Sequence, residues 1–309
     1  MTLDRSYLDY PKRGYGQDTE RHAWRLAKDR PRIDLPGGQQ VAIMPVVVCE
    51  YHPIAPKKTP FGHPHGMVTP YPDLRHYTTR DYGSRVGVFR LLKAFRDAGL
   101  TATFALSADL LERARPLVDA ILNDGHEIAA AGLNGDAIHH SAMSEADERA
   151  LITQVREAFA YAGLEPTAWM SPARQESFYT PDLLTEAGFT TVLDWETDQV
   201  PVFMRTQHGP LAAPPVFNEL DDYKLLIERK QTEDLWARQI AESVDLLKSE
   251  HAARGAQVLG FTLTPFVIGQ PFRIGALEAV CAALAGDEAI WCAGASAVSA
   301  TFEGLKDTP

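Results

Sequence analysis

The sequence predicts an α/β protein with a mainly parallel sheet, either open or closed into a barrel. Two observations predict it. Segments of strand character alternate with segments of helical period about seven times along the 309 residues, which is the signature of strand–helix–strand units. The first strong strand, "QVAIMPVVVCEY" at 40–51, is almost uninterruptedly apolar, as expected of a strand buried on both faces.

The elements follow in order. Residues 1–39 are polar and rich in Arg, Asp, Pro and Gly, with at most a turn or two of helix in "DTERHAWRLAKD", and read as an extension before the 40–309 domain. After the first strand, 52–80 carries many Pro, His and Tyr and shows no helical period; long excursions of this kind are often functional. In "SRVGVFRLLKAFRDAGL" the residues Val86, Phe89, Leu92 and Phe95 predict a buried stripe, with Gly99 as the stop,. The strand "TATFALS" precedes one helix over "ADLLERARPLVDAILNDG", and the strand "HEIAAAGL" precedes a helix capped by Ser144,. "PTAWMS" is a strand, "TPDLLTEAGF" a helix with Pro in its first turn, and "TTVLDW" a strand,. Beyond an irregular region come the helix "EDLWARQIAESVDLLKSEHAARG", the strand "AQVLGFTLTP", the helix "RIGALEAVCAALAG" and the strand "AIWCAG".

Composition removes several function classes. A formal charge of −11 disfavours nucleic acid or an anionic membrane as partner, because phosphate binding needs clustered cations. Three cysteines without Cys-x-x-Cys spacing indicate a reducing compartment,. The opening "MTLDRSYLDYPKRGYG" has no apolar signal core and no apolar run is long enough to span a bilayer, so the expected location is the cytoplasm. Phosphate-loop, dinucleotide and Gly-x-Ser-x-Gly signatures are missing,.

In a parallel barrel the chemistry sits at the C-terminal strand ends. The first strand ends in Glu50 and His52, a carboxylate and an imidazole suited to acid–base work,. The fourth offers Trp169, Arg174 and Glu176, and the fifth offers Asp194, Trp195, Glu196 and Asp198. "FNELDD" sets Asn218, Glu219, Asp221 and Asp222 either as acids at a helix start or as substrate contacts,. His139 and His140 form one histidine pair, and "GHPHG" brings His63 and His65 near His52 in sequence, without established metal-ligand spacing,.

"RDYGSRVGVFRLLKAFRDAGLTATFALSAD", "AILNDGHEIAAAGL", "MSEADERALI", "TPDLLTEAGFTTVLDW", "FNELDD" and "TPFVIGQPFRI" resemble the polysaccharide deacetylase family (NodB homology), and within it the branch related to metal-independent allantoinase. The resemblance implies a distorted (β/α) barrel of about seven strands and hydrolysis of a C–N bond. In metal-dependent members it implies an Asp base at the first strand tip, a second Asp with a His-x-x-x-His pair holding a divalent metal, commonly zinc, and a late His as acid. Here the first tip carries Glu50, the paired imidazoles fall on Ala131 and near Gly135, and the late His falls on Thr264. His126 belongs to the turn before them.

That pattern leaves three readings. The first is a metal-independent hydrolase of a small cyclic amide, ureide or imide, with Glu50 as base, its pKa raised by burial, and Arg85 or Arg174 polarising the carbonyl. The second is a lyase or isomerase using Glu50, His52 or His140. The third is an inactive small-molecule-binding protein. The expected catalytic residues are Glu50, His52 and Asp194. The expected substrate contacts are Tyr82, Arg85, Trp169, Glu176, Trp195, Asp198, Glu219, His140 and Thr264. No cofactor is expected; a divalent metal on His52, His63 and His65 is the lesser expectation. The branch implies a homodimer or homotetramer.

Overall fold

The computed structural model describes residues 19, 21–23, 25–57, 61–64, 72 and 74–306. His65 and most of the first 20 residues lie outside them. One nine-stranded sheet organises the chain. Strand β1 is Val41–Cys49, β2 Thr103–Leu106, β3 Glu127–Ala130, β4 Ala168–Trp169, β5 Thr191–Val192, β6 Val202–Thr206, β7 Gly209–Ala213, β8 Gln257–Leu263 and β9 Ile290–Cys292. The order is β6-β7-β5-β4-β3-β2-β1-β8, with β9 also on β1. Every pairing is parallel except the β6–β7 hairpin. Beyond the sheet edges, Phe217 N donates to Gly260 O at 2.9 Å and Val258 N donates to Gln199 O at 2.8 Å. These bonds tie irregular chain across the gap and give a distorted barrel.

The helices are α1 Leu74–Tyr82, α2 Val88–Ala98, α3 Ala108–Arg113, α4 Arg115–Asn123, α5 Glu145–Tyr161, α6 Thr180–Glu186, α7 Glu233–Arg254, α8 Ile274–Ala285 and α9 Ala295–Thr301. Four expectations are corrected here. Helix α1 lies inside the stretch read as aperiodic, because its buried residues are His76 and Arg80 rather than apolar ones. A π-turn at Gly83–Gly87 then shifts the helical phase,. Val86 and Phe89 therefore face out, and the buried stripe of α2 is Val88, Leu91, Leu92, Ala94 and Phe95. The single helix expected over 108–125 breaks at Ala114 (φ −128°, ψ 41°), two residues before Pro116, which cannot sit in a helix interior. The 196–231 stretch contains the β6–β7 hairpin, whose signal Pro201, Gly209 and Pro210 had masked,.

Expected caps are seen. Ser144 Oγ accepts from Asp147 N at 3.1 Å to start α5, and Gly99 ends α2 with φ 66°. The described part of the N-terminal extension lies on the barrel. Arg30 donates to Gln257 Oε1 at 2.9 Å, and Ile33 O accepts from Ala256 N at 2.8 Å. No helix among the described residues is long and apolar enough to cross a membrane.

Side-chain parity places the site. In a strand, alternate residues face opposite sides of the sheet. Val41, Ile43, Val47 and Cys49 pack toward the helices, while Ala42, Met44 and Val46 pack in the barrel interior with Ala105, Ala129, Ala131, Ala168, Met170 and Val258. Small residues thus fill the lower barrel. The inward series of β1 continues upward through Val48 to Glu50, and that of β8 through Thr262 to Thr264.

Candidate active site

Above this small-residue layer lies a cavity of about 320 Å³, at the small end of the range for ligand sites. Glu50, His52 and His63 line one side, Asp194, Arg174 and Asn218 another, and Asp221, Thr262 and Thr264 a third.

Glu50 is the centre of the first side. Its Oε2 lies 3.3 Å from His52 Nε2 and 3.2 Å from His63 Nε2. Burial favours a neutral carboxyl, but the charge of His63 and the hydrogen bond from His52 outweigh it and hold Glu50 well below the usual carboxylate range. The sequence expectation of a raised base is thereby reversed. Burial lowers His52 to about 4, so its ring is neutral near neutral pH. Burial, then the charge of Glu50, pushes the neighbouring Cys49 thiol far up, so Cys49 is not a thiolate nucleophile.

The second side is built by unusual backbone. Ala173 and Arg174 both take positive φ, 56° and 53°, a conformation that costs non-glycine residues of order 1 kcal/mol or more each. It points the Arg174 guanidinium at Asn218 Oδ1 (2.9 Å), Val216 O (2.8 Å) and Asp194 O (3.2 Å). Asp194 Oδ1 accepts from Ser171 N at 2.9 Å. Behind the wall, Glu176 accepts from Trp195 Nε1 at 3.0 Å. Burial, then the charge of Asp194, raises Glu176 well above its ordinary value, and burial raises Asp194 as well. Two carboxyls in one dry site cannot both ionise. The pair therefore retains one proton, with Glu176 the more strongly raised member.

On the third side, Thr264 N donates to both oxygens of buried Asp222, at 2.9 and 3.0 Å. Thr262 Oγ1 donates to Asp221. Burial, then Asp221, raises Asp222 well above the usual range. Thr264 is therefore a fixed corner of the cavity rather than a proton donor.

Of the expected site residues, the cavity gathers Glu50, His52, Asp194 and Thr264, with Glu176 one layer behind. The others lie elsewhere. Trp169 has the wrong parity on β4. It is fully buried among the outer layer, 5.1 Å from the Phe189 ring, with its Nε1 donating to Ser171 Oγ. The Arg85 side chain is 74% exposed and pairs with Asp81. The Tyr82 hydroxyl accepts from Arg90. Trp195 and Asp198 line a different hollow near His22, where Asp198 pairs with Arg30. The Glu219 side chain is 61% exposed and pairs with Lys224 at 3.0 Å and with Arg229. The His140 ring packs 6.3 Å from that of Phe61, outside the cavity lining.

Ser171 and Arg80 line the cavity without having been singled out in the sequence, and His63, Asn218 and Asp221 line it where the sequence leaves their roles open. In "FNELDD" the cavity takes Asn218 and Asp221, while the expected contact Glu219 faces solvent. No periodicity separates them, because the segment forms a short 3-10 turn, Asn218–Leu220, and then a π-turn.

Ala131 and Gly135 supply no metal donors. Among the described residues, however, Glu50, His52 and His63 each place one carboxylate or imidazole ligand atom within 4.8 Å of the others. Losing imidazoles at 131 and 135 does not strip the cavity of metal-type donors.

Residues 70–192 match the family model described as polysaccharide deacetylase. Among solved structures, a probable polysaccharide deacetylase from Pseudomonas aeruginosa PAO1 has a TM-score of 0.79 at 22% identity, covering 96% of this chain and 98% of that one. A putative polysaccharide deacetylase from Mycobacterium smegmatis has a TM-score of 0.75 at 22% identity, covering 91% and 96%. A Puue allantoinase has a TM-score of 0.80 at 22% identity, covering 96% and 98%. No curated protein sequence matches the chain. The shared feature at this identity is the fold, the (β/α) barrel of polysaccharide deacetylases.

Proposed function

We propose that this protein, a barrel of the polysaccharide deacetylase fold, hydrolyses a carbon–nitrogen bond in a small cyclic amide, ureide or imide. The observation that carries the reading is the opposed state of two carboxyl groups on one cavity. Glu50 is held ionised by two imidazoles, while the Asp194–Glu176 pair retains a proton. Environments that push carboxyl pKa values apart assign the base and the acid.

In the proposed reaction the oxygen of a water bonds to the substrate carbonyl carbon as Glu50 takes up its proton. The C–N bond then breaks. The leaving nitrogen receives the single proton that the pair retains, relayed from Glu176 through Asp194, the member that lines the cavity. Glu50 is a weak base, but it is ionised across the whole neutral range. Arg174 fixes the wall that carries Asp194. His63 and Pro64 belong to the cavity lining, so the long loop after β1 covers part of the mouth. A cavity this small and partly covered favours a small molecule over a polymer. The full-length likeness to a structure called an allantoinase supports the ureide class.

The test is turnover of allantoin, hydantoin, cyclic imides and lactams, with N-acetylated sugars as comparison. Glu50→Gln and Asp194→Asn should each lower kcat by about 10²–10⁴-fold. Unchanged kcat in either variant removes that residue's role. Activity confined to N-acetylated sugars overturns the substrate class.

A further inference from the structure

We propose that Glu50, His52 and His63 form a binding site for one divalent first-row transition cation of the zinc class. The donors come from the tip of β1 and the loop after it. They do not come from positions 131 and 135, where the resemblance places its imidazoles.

Two of the three donor separations match those of ligands around one ion, and all three lie within 4.8 Å. Bonds of about 2.0–2.2 Å in tetrahedral geometry set neighbouring donor atoms about 3.4 Å apart. Glu50 Oε2 lies 3.3 Å from His52 Nε2 and 3.2 Å from His63 Nε2. All three side chains are largely withdrawn from solvent, at 13%, 6% and 7% exposure. Two nitrogens and one oxygen favour a zinc-class ion over magnesium or calcium, which take oxygen donors. Three protein donors leave a coordination position open, and all three residues line the cavity. The His52 ring is held in place. It packs edge-on to His63 at 4.9 Å and to His76 at 5.6 Å, in the space left by the missing side chain of Gly135.

A bound ion of this class would supply activated water, with Glu50 serving as its ligand in place of the water's proton acceptor. That use rests on the hydrolase reading; binding itself does not.

The test is calorimetric titration of chelator-stripped protein with Zn²⁺, with Co²⁺ absorption as the spectroscopic readout. One ion per chain is expected. His52→Ala and His63→Ala should each weaken binding by more than about tenfold, since even partners of a ligand are worth that much. His63 lies outside every helix and strand, so its variant should keep the wild-type circular dichroism spectrum. Zn²⁺ affinity no higher than that of a Glu50→Gln/His63→Ala double variant would overturn the site. Amide turnover by a protein that binds no Zn²⁺ removes the cation and leaves the hydrolase. Stoichiometric Zn²⁺ without turnover of any amide does the reverse.

Discussion

The imidazole of His52 occupies the volume that a side chain on Gly135 would need. A Cβ on Gly135 would lie 2.3 Å from His52 Cε1 and 2.6 Å from its Nδ1. The two chain segments are pinned together by Gly135 N donating to Tyr51 O at 2.8 Å, so neither backbone moves aside easily. Gly135→Ala should therefore displace the ring and cost about 1–3 kcal/mol, as overpacking does. In a His52→Ala background the same change should cost much less, because contacting residues couple. Chemical denaturation of the four proteins checks this; additive costs would contradict the arrangement.

Stability should depend on the buried Glu176–Asp194 pair in a defined direction. The folded pKa of Glu176 is raised, through burial and then the charge of Asp194. The stability it contributes is therefore complete below the unfolded value of about 4.3 and is lost as pH rises through the folded one. Glu176→Gln, neutral at every pH, should flatten that fall. Urea midpoints from about pH 5 to about pH 9 measure it. The wild-type kcat should fall along the same alkaline limb if the pair supplies the proton.

Arg174 and Arg85 should behave oppositely, although the sequence offered both as carbonyl-polarising donors. Arg174→Ala removes three anchors of the Asp194 wall and should lower kcat by at least about tenfold, since small displacements of positioned groups are costly. Arg85→Ala loses one solvent-exposed pair with Asp81 and should change stability by no more than about 0.5 kcal/mol. Its kinetics should match the wild type.

Glu148 should be a pillar of the fold rather than of the chemistry. It is fully buried on α5, accepting from His139 Nδ1 at 2.8 Å and from the hydroxyls of Ser177 and Thr180. Glu148→Ala leaves those donors without their partner and should cost on the order of 3–5 kcal/mol. Thermal melts read the loss, and kcat per folded molecule should stay close to wild type.

The strands with long apolar runs, β1 and β8, are legible because burial on both faces writes itself into composition. Helix α1 is not, because His76 and Arg80 form its buried side. Strand parity was available for Trp169 and would have excluded it, since Ala168 and Met170 take the inward positions. The same parity puts Glu50 and Thr264 over the interior. His63 had no such signal: it reaches Glu50 from a loop, and only the folded path of that loop brings it within 3.2 Å. Asn218 and Asp221 were equally hidden, because two irregular turns decide which acids face the cavity.

Strand β1 pairs with three partners, β2, β8 and β9, and its tip carries Glu50. A slip of one residue along that strand would swap Cys49 and Glu50 between the helix layer and the mouth. The position of the carboxylate is thus tied to the register of the most heavily bonded strand. Amide protons of β1 should be the last to exchange, near the global unfolding limit. His63 meets Glu50 at 3.2 Å from the loop that starts at that anchor, so the pairing inherits the register of β1.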